Sequence, residues 1–200
     1  MMTMRNSTAI LAAAALAAAT SGCVSFGAKP PPTLLTLAPD AAVPVGEQAS
    51  SATARSIAIQ VPTVPQTLAT ARVPVQATPT SVAYIKDAVW AEVPARLFAR
   101  LLADTVTVRA GRVVLSGVQS LSDPGARLGG ELRNFGLDAT AREAVVTFDA
   151  SLVRADAPAV EKRRFEARVP VAAIDAPSAG PALNQAANQV AGQVADWIGR

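Results

Sequence analysis

Cys23 is the only thiol of the chain, and it directly follows Thr20-Ser21-Gly22. Small side chains before a cysteine let the backbone enter a signal peptidase, with Gly22 and Cys23 on either side of the cut. The thiol can then carry a diacylglycerol as a thioether, and the freed amine can take a further acyl chain. Other chemistry has little to work with. The sequence has no histidine, which removes the commonest general base and the commonest metal ligand. A single cysteine can form neither an internal disulfide nor a thiolate zinc site. No GxGxxG, Walker A or HExxH pattern occurs. Asp87 and Glu92 could be read as an acid/base pair, but no nucleophile stands beside them in the sequence. We therefore expect no catalytic residue, no metal site and no cofactor beyond the acyl groups on Cys23.

What precedes Cys23 fits that chemistry. Residues 1–6 carry one positive charge, Arg5, and residues 9–19 form an uncharged run rich in alanine. A basic start, an apolar helix-former and small residues make a secretory signal. The run is too short and too weakly apolar for a transmembrane helix, which needs about 20 apolar residues. The segment resembles a bacterial lipobox, with Thr20 where leucine is usual. Each buried methylene contributes about 0.8 kcal/mol, so two or more acyl chains hold a domain firmly. Val24 after the cysteine, rather than aspartate, resembles the sorting pattern of outer-membrane lipoproteins. The expected organisation is a signal peptide at 1–22, a lipidated N-terminus and tether at 23–33, and a periplasmic domain at 34–200.

Removing 22 of the 200 residues leaves 178, enough for one domain with its own core. Apolar residues make up 50% but aromatics only 4%, so the core must be built mainly from small and branched side chains. Loss of Arg5 takes the formal charge from +3 to +2, too weak to point to nucleic acid. Lys162-Arg163-Arg164 is the one basic cluster, flanked by Glu161 and Glu166. It reads as a solvated hairpin with paired charges rather than a patch for acidic head groups.

Periodicity supplies the positioning elements. Pro30-Pro31-Pro32 stiffens the tether. Leu34–Leu37 could form an edge strand. Ser56–Val61, Thr70–Gln76 and Ser81–Ile85 read as short strands, interrupted by Pro62 and Pro65. Val93–Val106 is a helix with Leu97, Phe98, Leu101 and Leu102 on one stripe. Strands are expected over Val113–Ser116, Arg127–Asn134, Ala144–Leu152 and Arg163–Val171. Phe135 and Leu137 change parity relative to Leu128 and Leu132, which predicts a bulge near Asn134. A last helix is expected from about Pro181 to Ile198, capped by Ser178, with Leu183, Ala187, Val190, Val194 and Trp197 as its seam. The fold class is α+β: an antiparallel sheet with two helices packed on one face.

The stretch from Ile57 to Leu102 is distinctive. It holds Pro65–Val75, Val82-Ala83-Tyr84, Asp87-Ala88-Val89-Trp90 and the helix from Pro94. With the lipobox, Leu37-Ala38-Pro39, the strand ending at Phe135 and the Ala-rich last helix, it resembles the ABC-type transport auxiliary lipoprotein family. Leu34-Leu35 depart from it, where many members have tyrosines. The resemblance implies an outer-membrane docking partner for an ABC system whose MCE-family substrate-binding protein moves phospholipids or other hydrophobic molecules between membranes. It also implies that the chain can form a homo-oligomeric ring. The alternatives are a stand-alone lipid-binding lipoprotein and a pilotin-like assembly factor. Candidate partner contacts are Arg72, Tyr84, Asp87 and Trp90. Trp90 reads more readily as cover for the core, Tyr84 equally as either, and Arg72 and Asp87 could pair with each other.

Overall fold

Among the described residues seven strands and two α-helices follow one another as β1 (Ser56–Ile59), β2 (Arg72–Thr78), β3 (Ser81–Val89), α1 (Pro94–Ala110), β4 (Val113–Leu115), β5 (Ala126–Asp138), β6 (Glu143–Arg154), β7 (Ala157–Pro170) and α2 (Ala176–Ile198). The structure, a computed structural model, describes residues 33–40, 42–52, 55–115, 119 and 124–199. All of these belong to one compact unit, Pro31–Arg200. The expectations for the leader, the cut at Gly22–Cys23 and the lipid site lie outside the described residues.

The α+β class holds, and the sheet is mixed. β5, β6 and β7 form an antiparallel meander, and β2 pairs antiparallel with β3. β1 and β2 both run parallel to β5, and β4 runs parallel to β1. The all-antiparallel expectation is thus corrected. Alternation tells which face a residue takes but not the direction of its neighbour, and the parallel pairings span only a few residues each. β1 and β2 lie in series along one edge of β5. Between them Thr63 bridges to Glu131. The expected bulge is present: Leu132 faces Phe148 but Asn134 faces Thr147, leaving Arg133 as the extra residue.

One sheet face carries Leu128, Leu132, Phe135, Ala144, Val146, Phe148, Ala150 and Leu152, all buried. Both helices cover it. In α1 the buried set is Leu97, Phe98, Leu101, Leu102 and Val106, close to the expected stripe. Pro94 opens the helix, where a missing donor costs nothing, and Gly111 ends it at φ 60. α2 starts at Ala176, earlier than expected. Asp175, not Ser178, is its cap: the Asp175 carboxylate accepts the Ser178 N–H at 2.9 Å. Pro181 looked like a first position but sits in the second turn, where it forgoes one bond. The buried surface of α2 is also wider than a seam. Ala179, Ala182, Ala186, Ala191 and Ala195 flank it, since the helix touches the sheet, α1 and an N-terminal strap.

That strap is the Leu34–Leu37 stretch and its continuation. It forms only an isolated bridge from Leu35 to Trp90, not a strand. Asn184 accepts the Ala38 N–H at 2.8 Å. Asn188 accepts the Asp40 N–H at 2.8 Å and donates to the Ala38 carbonyl at 2.9 Å. Two amides one turn apart on α2 therefore stand in for a neighbouring strand.

Trp90, Phe135, Phe98 and Phe148 form a chain of edge-on rings, with successive centroids 5.3, 6.4 and 5.4 Å apart. Trp90 is 1% exposed, and its Nε1–H has no partner among the described residues. Leaving that donor unpaired costs about 1–3 kcal/mol. Burying roughly 200 Å² of indole at about 25 cal/mol per Å² contributes about 5 kcal/mol, so the ring stays inside. Trp90→Phe keeps a ring and removes the unpaired N–H. It should cost at most about 2 kcal/mol, against about 3–5 kcal/mol for Trp90→Ala. Urea unfolding of the two variants would check this, and equal losses would contradict it.

Candidate functional site

The helix-free face of the sheet carries the side chains available for recognition. In β7 Arg164, Glu166 and Arg168 alternate with buried Phe165, Ala167 and Val169, so one strand builds core and surface together. Arg164 grips Asp149 with two bonds, Nε to Oδ1 at 2.6 Å and Nη2 to Oδ2 at 2.7 Å. The bulge residue Arg133 reaches the same carboxylate at 3.5 Å. A second row runs across three strands. Asn134 donates to Thr147 at 3.2 Å, Thr147 donates to Glu166 at 2.9 Å, and Arg168 binds Glu166 at 2.8 Å and Glu143 at 3.4 Å.

These contacts fix the charges. The hydrogen bonds from Arg164 hold Asp149 below the usual carboxylate range, with Arg133 adding to the effect. Arg168 does the same for Glu166, helped by the Thr147 hydroxyl. Carboxylates kept ionised in this way make poor general acids at neutral pH. Among the described residues, no group of three or more His, Cys, Asp or Glu could hold a metal ion.

A groove of about 260 Å³ crosses this face, lined in part by Pro74, Gln76, Val82, Asn134, Gly136 and Arg168. A Cβ on Gly136 would stand 2.4 Å from the Pro74 carbonyl oxygen, so only glycine lets β2 approach β5 this closely. Beside the groove the β2–β3 hairpin brings two sequence candidates together. The Arg72 guanidinium lies 4.3 Å from the centre of the Tyr84 ring, and the Tyr84 hydroxyl donates to the Thr67 carbonyl at 3.3 Å. Tyr84 and Pro74 are directly opposite in register.

The other two candidates go elsewhere. β3 is irregular between Tyr84 and Val89, and Asp87 there has φ 59. Asp87 is exposed, and among the described residues no ion pair joins it to Arg72. Arg72 stacks on Tyr84 instead, which corrects the expected pair. Burial takes Trp90 off the list of surface contacts and gives it the core role. Sequence reading passed over Arg133 and Arg168. The signal was the two-residue alternation in β7 and the bulge that it had located next to Arg133. Lys162-Arg163-Arg164 does carry a paired charge, but Arg164 takes its partner from β6, not from the flanking glutamates.

A family model for the ABC-type transport auxiliary lipoprotein component matches residues 35–195. The chain belongs to this family. Among solved structures, protein XCC0632 from Xanthomonas campestris shares the fold at TM-score 0.63 and 18% identity, covering 83% of this chain and 93% of its own. A structure of an uncharacterized protein does so at TM-score 0.61 and 18% identity, covering 72% and 92%. A PelC dodecamer from Paraburkholderia phytofirmans matches at TM-score 0.38 and 11% identity, covering 70% of this chain and 83% of its own. No curated protein matches the chain significantly. The match begins at Leu35, where the strap joins β3, so it spans nearly all of the folded unit of this auxiliary lipoprotein. Among the described residues no helix is long and apolar enough to cross a membrane.

The charge network sets a pH dependence. A carboxyl held below its unfolded value contributes stability that is complete above that value and disappears as pH falls through the folded one. Asp149 and Glu166 should therefore give an acid limb of falling stability below about pH 4. Asp149→Asn should flatten that limb in urea midpoints measured from neutral to acid pH. An unchanged limb would mean that Arg164 does not hold Asp149 in solution.

Proposed function

We propose that this auxiliary lipoprotein is a non-catalytic docking component, anchored through Cys23 on the periplasmic face of the outer membrane. There it engages the MCE-family substrate-binding protein of an ABC system that moves phospholipids or other hydrophobic molecules. The observation that carries this reading is the family match across the folded unit. The geometry agrees with docking better than with carrying lipid. The aromatic chain and the alanines of α2 fill the space between sheet and helices. The depressions named among the described residues open on the surface, and each includes charged or polar side chains in its lining. A phospholipid carrier needs several hundred Å³ of enclosed apolar space.

Arg72 and Tyr84 are the best anchors for a partner, because a stacked, pre-ordered pair loses little entropy on binding. Recovery of the MCE protein with this lipoprotein under mild detergent tests the reading. Tyr84→Ala and Arg72→Glu should each lower that recovery at least about tenfold while leaving thermal stability close to wild type. Recovery of no transporter component would overturn docking. The anchor has its own test. Cys23→Ser should move the protein from the membrane to the soluble fraction, and persistence in the membrane would contradict lipid attachment at that sulfur.

A further inference from the structure

Several chain segments end together on the side of the fold where β5 begins. Arg55 directly precedes β1, Arg112 follows the glycine that closes α1, and Arg154 ends β6. With Gly125, Ala155 and Asp156 they line a depression of about 230 Å³. Arg112 is the unusual member, an arginine only 6% exposed as a whole residue. Its Nη2 donates to the Ile198 carbonyl at the end of α2 at 3.1 Å, and Arg154 Nη1 reaches the same oxygen at 3.3 Å. Two cations thus share one helix-end carbonyl, whose partial negative charge amounts to about half a unit for the whole terminus.

Charge remains uncompensated. Arg154 has a carboxylate partner in Glu161 at 2.8 Å. Arg55 has no ion pair among the described residues, and neither has Arg112. Among the described residues Asp156 is the only carboxylate on the lining. Burial and the repulsion of Arg154 and Arg55 favour the neutral form of Arg112, and Asp156 opposes this only in part. A buried guanidinium with like-charged neighbours calls for an anion beside it.

We propose that Arg55, Arg112 and Arg154 form a binding pocket for a phosphate group. Phosphate offers several oxygens to forked donors and up to two charges, which a carboxylate does not. The space corresponds to about eight water positions, more than a bare phosphate fills, so the preferred ligand is a phosphate ester with a small polar remainder. Its source is either a soluble ester or a lipid head group. The pocket is separate from the helix-free groove and does not rest on the docking reading. The strap meets α2 at Gly180, and Ile198 lies about 27 Å further along the helix axis, so the pocket and the point where the chain enters the fold are at opposite ends of α2.

The test uses the full-length lipoprotein in a nonionic detergent. Glycerol 3-phosphate and inorganic phosphate are titrated by calorimetry. Micelles of the same detergent containing phosphatidylglycerol, with phosphatidylcholine-containing micelles as the neutral control, probe the lipid source by the same calorimetry. Arg55→Gln is the first variant, because Arg55 is exposed and its loss leaves α2 capped. Arg163→Gln is the charge-matched control: Arg163 stacks on Phe165 outside the pocket. Saturable binding in the soluble or the anionic-micelle arm, weakened about tenfold by Arg55→Gln and unchanged by Arg163→Gln, is the expected result. No saturable binding in either arm would overturn the proposal. So would equal weakening by both variants, which would reduce the effect to overall charge.

Discussion

Both edges of β5 are in use along most of its thirteen residues, and the arrangement of the other strands follows from that. β6 covers one edge from Ala126↔Arg154 to Asp138↔Glu143. The other edge is shared in series by β1 at Arg127 and Leu128, Thr63 at Glu131, and β2 at Leu137 and Asp138. A buried strand must pair its backbone donors and acceptors somewhere. Pro62 and Pro65 prevent one continuous partner, since neither can donate. The chain between β1 and β2 still meets the demand: Gln60 N–H binds Leu128, Thr63 N–H binds Gly130, and the Thr63 carbonyl accepts from Leu132. β3, β4 and β7 then attach to strands already placed.

The division of faces depends on the same strand. Arg133 is the extra residue of the bulge, and it moves the core positions from even to odd numbers, so that Phe135 and Leu137 stay under the helices. Without that shift, Phe135 would point into solvent and the ring chain from Trp90 to Phe148 would be cut. The bulge also frees Arg133 to reach Asp149 on the opposite face. One irregularity therefore completes the core and part of the surface network together. On the covered side the alanines of α2 let the helix lie close to sheet, α1 and strap at once. Larger side chains there would force one of the three away.

Much of this was legible in the residues. Ala144, Val146, Phe148, Ala150 and Leu152 announce β6 by alternation, and the parity change at Phe135 locates the bulge before any partner is known. The stripe of α1 and the Ala-rich C-terminal helix are equally plain. What stayed hidden depends on distant partners. The parallel pairing of β2 with β5 joins residues about sixty apart through two contacts, and no local pattern encodes it. Pro181 imitates a helix start because proline suits both a first position and, at a cost, a second turn. Tyr84 and Arg72 were visible as candidates, but their stacking was not, since it depends on how β2 and β3 register. The arginine pocket had no local signal at all, because its members come from separate ends of β1, α1 and β6.

The two charged regions differ in what they can contribute to recognition. On the helix-free face Arg133, Arg164 and Arg168 already have carboxylates within reach, and most of these pairs are substantially exposed. A partner that met them would have to replace satisfied contacts, so they can select and orient but add little affinity. Affinity on that face has to come from surface that water holds weakly: Pro74, Val82 and the Tyr84 ring under Arg72. Around Arg112 the balance is reversed. Among the described residues the cations outnumber their partners, Arg112 is buried as a residue, and an arriving anion relieves repulsion that is already present in the fold. A chain of formal charge +3 can in this way present a nearly neutral surface in one place and a strongly cationic one in another. Net charge consequently says little about what either region binds, and the local pairing of each arginine decides it.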